Sequence, residues 1–309
     1  EPDISMEDLR RFFNNPCAWT LKEQMRIVLA RAQKAHHIRE TFVLSGLDRY
    51  SLGAWLLETG CAQETRDDVF LNRKSSGLLP YGRKGMQVFE QVYAQAEPLI
   101  EAAGKFLSVP ILGPVSEIVS LKDTRLAVSL TDVRENGLSH LSFGRINGRR
   151  LIQAWIVHLC LNLAAPEKYP KTSRLITPLP KEKNRVEIYE FQELGDDAAP
   201  VMEALVRPFR KGMDLPICFF SETSYQFVKA MERTGFKLNE KTLKTAMQRS
   251  ARFWYGDRFM PGETADRYAA LAFSGNDPFE NIETLQASGF INNALTVFQP
   301  MLEQIKVIS

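Results

Sequence analysis

Pro114-Val115-Ser116-Glu117-Ile118-Val119-Ser120-Leu121 opens the densest region of β-forming residues in this 309-residue chain. Phe106-Leu107-Ser108-Val109 precedes it, and Arg125 to Val133 and Leu138 to Phe143 follow. Glycine or charged turns separate these runs, so the region reads as a meander of short strands. An apolar helix is expected next, from Arg149 to Leu163. Beyond it strands are expected at Arg174 to Thr177, Arg185 to Phe191 and Pro216 to Phe220. Helices at Pro200 to Arg210, Thr223 to Thr234, Thr242 to Trp254 and Phe290 to Ile305 alternate with them. This alternation places the chain in the α/β (α+β) class.

The residues before the meander predict an α-helical N-terminal flank. Ser5-Met6-Glu7-Asp8 has the pattern of a helix N-cap with an acid three positions on, and Leu9, Phe12 and Phe13 follow at helical spacing until Pro16. From Trp19 to about Ala35 the apolar residues Leu21, Met25, Val28 and Leu29 recur at steps of three and four, which predicts an amphipathic helix. Another helix is expected from Arg49 to Thr59. Asn72 to Gly85 holds Gly77, Pro80, Gly82 and Gly85, too many breakers for a regular element. Met86, Phe89, Val92 and Tyr93 then resume a helix that should end at Pro98. The division expected from this pattern is a helical part over 1–98 and a core with C-terminal helices over 99–309.

Composition sets the outer bounds. With 44% hydrophobic and 25% charged residues the chain has material for a sizeable core, in one domain or two. Lys and Arg number 39 against 37 Asp and Glu, so any nucleic-acid surface must be a local patch. Cys17, Cys61, Cys160 and Cys218 lie far apart without a Cys-x-x-Cys pair, which argues against a zinc or iron–sulfur site and for buried free thiols in a reducing cytoplasm. No run approaches the roughly 18 apolar residues of a membrane span. The start Glu1-Pro2-Asp3 is unlike a signal peptide, and with no initiator Met the chain reads as a fragment from the C-terminal end of something longer.

Several strings carry a family resemblance. Leu9-Arg10-Arg11-Phe12-Phe13-Asn14-Asn15-Pro16, Phe42-Val43-Leu44-Ser45-Gly46-Leu47-Asp48-Arg49-Tyr50 and Gly77-Leu78-Leu79-Pro80-Tyr81-Gly82-Arg83-Lys84-Gly85 stand in that order. Trp155-Ile156-Val157-His158-Leu159, Arg210-Lys211-Gly212-Met213-Asp214-Leu215-Pro216-Ile217, Tyr268-Ala269-Ala270-Leu271 and Phe298-Gln299-Pro300-Met301 follow. Together they resemble the C-terminal domain of RecC, the gamma subunit of exodeoxyribonuclease V. Residue by residue, Pro16, Trp155 and Pro216 read as structural. His158 reads as a hydrogen-bonded core histidine, since no His or carboxylate pairs with it at helical spacing. Phe12, Phe13, Trp19 and Leu47 should be buried.

The resemblance implies a PD-(D/E)xK restriction-endonuclease-like core, catalytically inactivated, and the expected element order agrees with that core. An active relative needs a His, two carboxylates and a Lys around Mg²⁺. Here Phe89 stands where the His would be, Ser116 in Gly113-Pro114-Val115-Ser116 replaces the first carboxylate, and Leu141-Ser142-Phe143-Gly144-Arg145 has Arg in place of Lys. Arg stays protonated and cannot act as a base. A rival alignment takes Glu117 and Asp132-Val133-Arg134 as the degraded site with Gln153 on the next helix. It too lacks the Lys and the His.

Neither a catalytic residue, a metal nor a cofactor is therefore expected. Basic residues concentrate at Arg145, Arg149 and Arg150 and again at Lys168, Lys171, Arg174, Lys181, Lys183 and Arg185, with Tyr169 able to stack a base. These are the candidate DNA contacts. The resemblance implies RecB-like and RecD-like partner subunits, strand splitting or guiding in double-strand-break repair by homologous recombination, and a cytoplasmic location without membrane contact. Two other readings are an active Mg²⁺-dependent exonuclease and a protein-interaction scaffold that never touches DNA.

Overall fold

The computed structural model describes residues 3–30, 44–61, 65–179 and 185–308. Strand β1 (Ile4–Ser5) leads into α1 (Met6–Asn14), where Ser5 and Asp8 form the expected capping box. Leu9, Phe12 and Phe13 form the buried face of α1. The Phe12 ring meets Phe209 edge-on at 5.1 Å and Phe13 meets Phe219 at 5.5 Å, so this helix is pinned by aromatic contacts far along the chain. Asn15 caps α2 (Pro16–Trp19), with Pro16 at the first turn where a missing N–H costs nothing.

The amphipathic helix expected from Trp19 to Ala35 is not continued. A π-turn over Thr20–Gln24 follows α2, and Arg26 has φ 58°, a left-handed conformation that a helix cannot carry. Thr20 explains the shift, because its hydroxyl donates to the carbonyls of both Pro16 and Gly212. Residues 31–35 lie outside the described residues, as do Phe42 and Val43.

Helices α3 (Gly46–Cys61), α4 (Arg66–Ser75) and α5 (Arg83–Leu107) come next. Ser45 and Asp48 exchange capping hydrogen bonds at the start of α3, which leaves Leu47 on its outward first turn. Leu47 is 69% exposed, correcting the expectation that it is buried, while Phe12 and Phe13 are fully buried and Trp19 is half-buried against Phe209. Residues 72–75, expected to be irregular, complete α4. Gly82 precedes α5 at φ 66° and ψ −146°, a conformation open to glycine alone, and a side chain at Gly85 would strike the carbonyl of Pro80.

Helix α5 runs straight through Pro98, so the strand expected at Phe106 is its last turn and a division at 98 falls inside a helix. Proline costs one hydrogen bond there. Burial of Phe89, Val92, Ala96, Leu99 and Ala103 along one face outweighs it.

Strands β2 (Val115–Leu121), β3 (Thr124–Leu130) and β4 (Leu138–Leu141) follow, then α6 (Gly148–Ala164), β5 (Ser173–Pro178) and β6 (Val186–Phe191). The order helix, strands, helix, strand is as expected, with three strands where four were expected, but the pairing is not. The strands form two sheets: β1-β3-β2, with β2 antiparallel and β1 parallel to β3, and a second sheet that begins with β4 parallel to β5. The single meander is therefore corrected, and the strand of Ser116 does not neighbour the strand leading to Phe143. A parallel pair requires a crossover, and α6 supplies it. Irregular chain joins the sheets through Leu112 N–H to the Val133 carbonyl at 2.8 Å.

Helices α7 (Ala198–Asp214), α8 (Ser221–Glu232), α9 (Glu240–Tyr255), α10 (Arg267–Ala272), α11 (Ile282–Ala287) and α12 (Phe290–Gln304) complete the helical layer. Among the described residues Pro216 to Phe220 pairs with no strand; it is a largely buried irregular link whose Phe220 ring lies 4.1 Å from Trp254. After Gln304 the chain turns extended as β7 (Ile305–Ile308), which pairs antiparallel with β6 and gives the second sheet its order β4-β5-β6-β7.

The second sheet divides the core. Leu175, Tyr189 and Phe191 face the cluster built by α1, α6, α7, α8 and α12, whereas Ile176 and Ile188 face the cluster of α3 and α5. Alternate residues of one strand thus bury against different helical layers, as a period of two demands.

Candidate nucleic-acid interface

The positions expected to have lost metal ligands have other occupations. Phe89 is buried in the α3–α5 cluster, 5.1 Å from Phe70. Ser116 pairs with Ser129 on the exposed side of the first sheet. In the rival alignment, Asp132 forms an ion pair with Arg134 at 3.0 Å, and Arg134 also donates to the carbonyls of Leu107 and Val109, tying the end of α5 to the sheet. Gln153 is bound to Arg10 of α1. Among the described residues no three His, Cys, Asp or Glu side chains gather as metal ligands.

His158 is a fully satisfied core residue. Its Nε2–H donates to the Gln192 carbonyl at 2.9 Å, which fixes the tautomer and leaves Nδ1 to accept from the Ser173 hydroxyl at 2.9 Å. Burial holds its pKa at about 4, so the ring is neutral. Asn162, one turn on, donates to the His158 and Lys171 carbonyls and accepts from Leu194 N–H. The cluster ties α6 to both neighbouring strands. Trp155 stacks on the His158 ring at 5.4 Å and is fully buried.

Cys17, Cys160 and Cys218 are buried free thiols. Burial pushes Cys17 and Cys218 up to about 12 and raises Cys160, so all three stay protonated. The side chain of Cys61 lies outside the described residues.

The basic residues divide into two groups. Arg174 is held inside the fold: its Nε donates to Glu190 at 2.7 Å, NH1 donates to the Asn136 carbonyl at 2.6 Å, and the guanidinium covers the Phe106 ring at 4.7 Å. Tyr169 donates its hydroxyl to the Leu112 carbonyl at 2.7 Å, with the Lys168 ammonium near its ring. Lys168 and Arg185 are exposed and Lys171 is half-buried. Lys181 and Lys183 lie outside the described residues.

Arg145, Arg149 and Arg150 sit around the first turn of α6, capped by Asn147, whose side chain accepts from Arg150 N–H at 2.9 Å. Arg150 donates from NH1 to the Arg145 carbonyl at 2.8 Å and covers the Tyr50 ring at 5.4 Å. Arg149 and Arg150 line a cavity of about 480 Å³ together with Arg10, Tyr50, His140 and Gln153. No carboxylate is among its lining residues. Burial, with a smaller contribution from the Arg10 charge, holds His140 at about 4. Its Nε2 is sealed from solvent and has no hydrogen-bond partner among the described residues.

Arg10, Tyr50 and His140 were not expected at this place. They come from α1, α3 and β4, and the only signal available was that Arg10 and Tyr50 belong to the strings carrying the family resemblance.

The family model for the RecC C-terminal domain matches residues 1–232. The RecBCD enzyme subunit RecC of Buchnera aphidicola subsp. Schizaphis graminum (strain Sg) is 25% identical over 272 residues, covering 86% of this chain and 24% of that protein. The RecBCD enzyme subunit RecC of Escherichia coli (strain K12) is 22% identical over 270 residues, covering 85% of this chain and 23% of that protein. The chain thus spans about a quarter of the length of the curated relatives it matches.

Proposed function

Because the chain belongs to the RecC C-terminal domain family, we propose that it serves as the non-catalytic C-terminal domain of a RecC-like subunit in a RecBCD-type helicase–nuclease. In that role it holds RecB-like and RecD-like subunits and guides or splits DNA strands during double-strand-break repair by homologous recombination in the cytoplasm. The observation that carries this reading is the family match across residues 1–232.

The order helix, three strands, helix, parallel strand over 83–178 supports kinship with the PD-(D/E)xK core at the level of element order. The division of those strands into two sheets marks where the chain departs from it. An inactive site is supported by Phe89 in a hydrophobic cluster, Ser116 on the first sheet and Asp132 paired with Arg134. The chain needs no metal or cofactor in this role.

Two experiments test it. Purified chain incubated with Mg²⁺ or Mn²⁺ should leave single-stranded and duplex DNA intact; metal-dependent degradation abolished by Asp132→Ala overturns the non-catalytic reading. Co-expressed with RecB-like and RecD-like subunits, the chain should retain at least one on purification, and loss of both removes the scaffold role.

A further inference from the structure

The cavity at the N-terminal end of α6 gathers positive charge without a lining counter-charge. Arg10, Arg149 and Arg150 all contribute to its wall. Glu7 meets Arg10 at 3.0 Å as an exposed pair, but among the described residues Arg149 and Arg150 have no acidic partner. Guanidinium groups brought together in this way repel one another, and a bound anion removes that cost.

Two of the three, Arg10 and Arg150, are also held in place. Gln153 accepts from Arg10 Nε at 3.0 Å, and Arg150 is fixed between the Arg145 carbonyl and the Tyr50 ring. Each guanidinium is a planar fork of donors, and most of the Arg150 donors remain unused. His140 also lines this wall, but its Nε2 is sealed from solvent and does not face the cavity, so the charge offered to a ligand there is that of the arginines. At the mouth, Tyr50 is an exposed aromatic ring with a cation already on one side.

We propose that this cavity binds a backbone phosphate of single-stranded DNA, with the adjoining base against Tyr50. A volume of about 480 Å³ falls within the range that holds a small ligand. A single strand is favoured over a duplex because only its bases are free to stack on a protein ring. This inference rests on the reading that the chain contacts DNA, and names the subsite at which it does so.

The test uses the whole chain with fluorescein-labelled oligothymidylate, read by anisotropy across a salt titration, with thymidine monophosphate and inorganic phosphate as competitors. Arg149→Ala, an exposed position, should weaken binding severalfold, and Arg149→Ala with Arg150→Ala at least tenfold. The slope of log affinity against log salt should fall by about 0.7 for each phosphate no longer neutralised. Tyr50→Ala should weaken binding about tenfold, the size of one stacked base, while Tyr50→Phe retains it.

Thymidine monophosphate should compete better than inorganic phosphate. Equal competition by the two, together with an unaffected Tyr50→Ala, would mean a phosphate site without a nucleotide and overturns the proposal. Parent-like affinity and slope in Arg149→Ala and Tyr50→Ala also overturn it, while DNA contact elsewhere on the chain would stand. A chain that binds no oligothymidylate at any salt concentration removes the underlying DNA reading as well.

Discussion

Arg10 and Gln153, 143 positions apart, exchange two hydrogen bonds: Arg10 Nε donates to Gln153 Oε1 at 3.0 Å, and Gln153 Nε2 donates to the Arg10 carbonyl at 2.7 Å. The pair locks α1 onto α6 and sets the Arg10 guanidinium on the wall of the basic cavity. It also gives Gln153 a role in assembly rather than in metal binding, since both ends of its amide are engaged.

Gln153→Ala should lower stability by about 1–3 kcal/mol, because it leaves a guanidinium and a half-buried carbonyl short of partners. Urea unfolding followed by circular dichroism measures this as a lower midpoint at unchanged slope. A midpoint equal to that of the parent would mean that solvent replaces both bonds.

Phe13→Ala should cost roughly 3–5 kcal/mol, since the ring is fully buried between Phe12 and Phe219. Leu47→Ala should change stability by less than about 0.5 kcal/mol, because Leu47 faces solvent beside the Ser45–Asp48 cap. Thermal melts of the two variants side by side decide whether burial or membership of a family-like string governs the effect.

Arg174→Ala should destabilise the fold by roughly 1.5–3 kcal/mol, as it removes charge-assisted hydrogen bonds from a pair whose side chains are only 13% and 16% exposed. Lys168→Ala, at an exposed lysine, should leave the melting temperature unchanged. Replacing both together with Lys171 would therefore confuse loss of fold with loss of DNA binding. Binding to forked DNA is better tested with Lys168→Ala alone, compared with Arg149→Ala.

Stability should fall as pH drops from about 6.5 toward 4. The folded state holds His158 neutral with a pKa of about 4, while the unfolded chain takes up its proton near the ordinary value. The unfolded state thus binds more protons in that window, so acid favours unfolding. The loss from this residue is on the order of 3 kcal/mol once both pKa values are passed. His158→Gln, less stable at neutral pH, should show a shallower pH dependence between 4 and 6.5 in chemical denaturation. An unchanged slope would place the linked proton elsewhere.

Local chemistry was legible wherever a few neighbouring residues decide it. Ser5 and Asp8 announced the cap of α1, runs of β-forming residues bounded by turns placed β2, β3, β5 and β6 close to their observed bounds, and the absence of a His or carboxylate at helical spacing marked His158 as a core residue. Strand partners were a different matter. Periodicity says which residues share a face but not which strand lies alongside, and only the α6 crossover brought β4 to β5 and away from β3.

What the sequence by itself determined, then, is the α/β class, most helix and strand positions and the strings that carry the family resemblance. Tertiary structure alone decided that α5 passes through Pro98, because burial along one face outweighs a missing hydrogen bond. It alone decided that Arg174 is an internal tie and that Arg10, Tyr50, His140 and Arg150 share one cavity. These residues lie on four separate elements, and side chains so far apart in sequence meet only when the helices and sheets that carry them pack together.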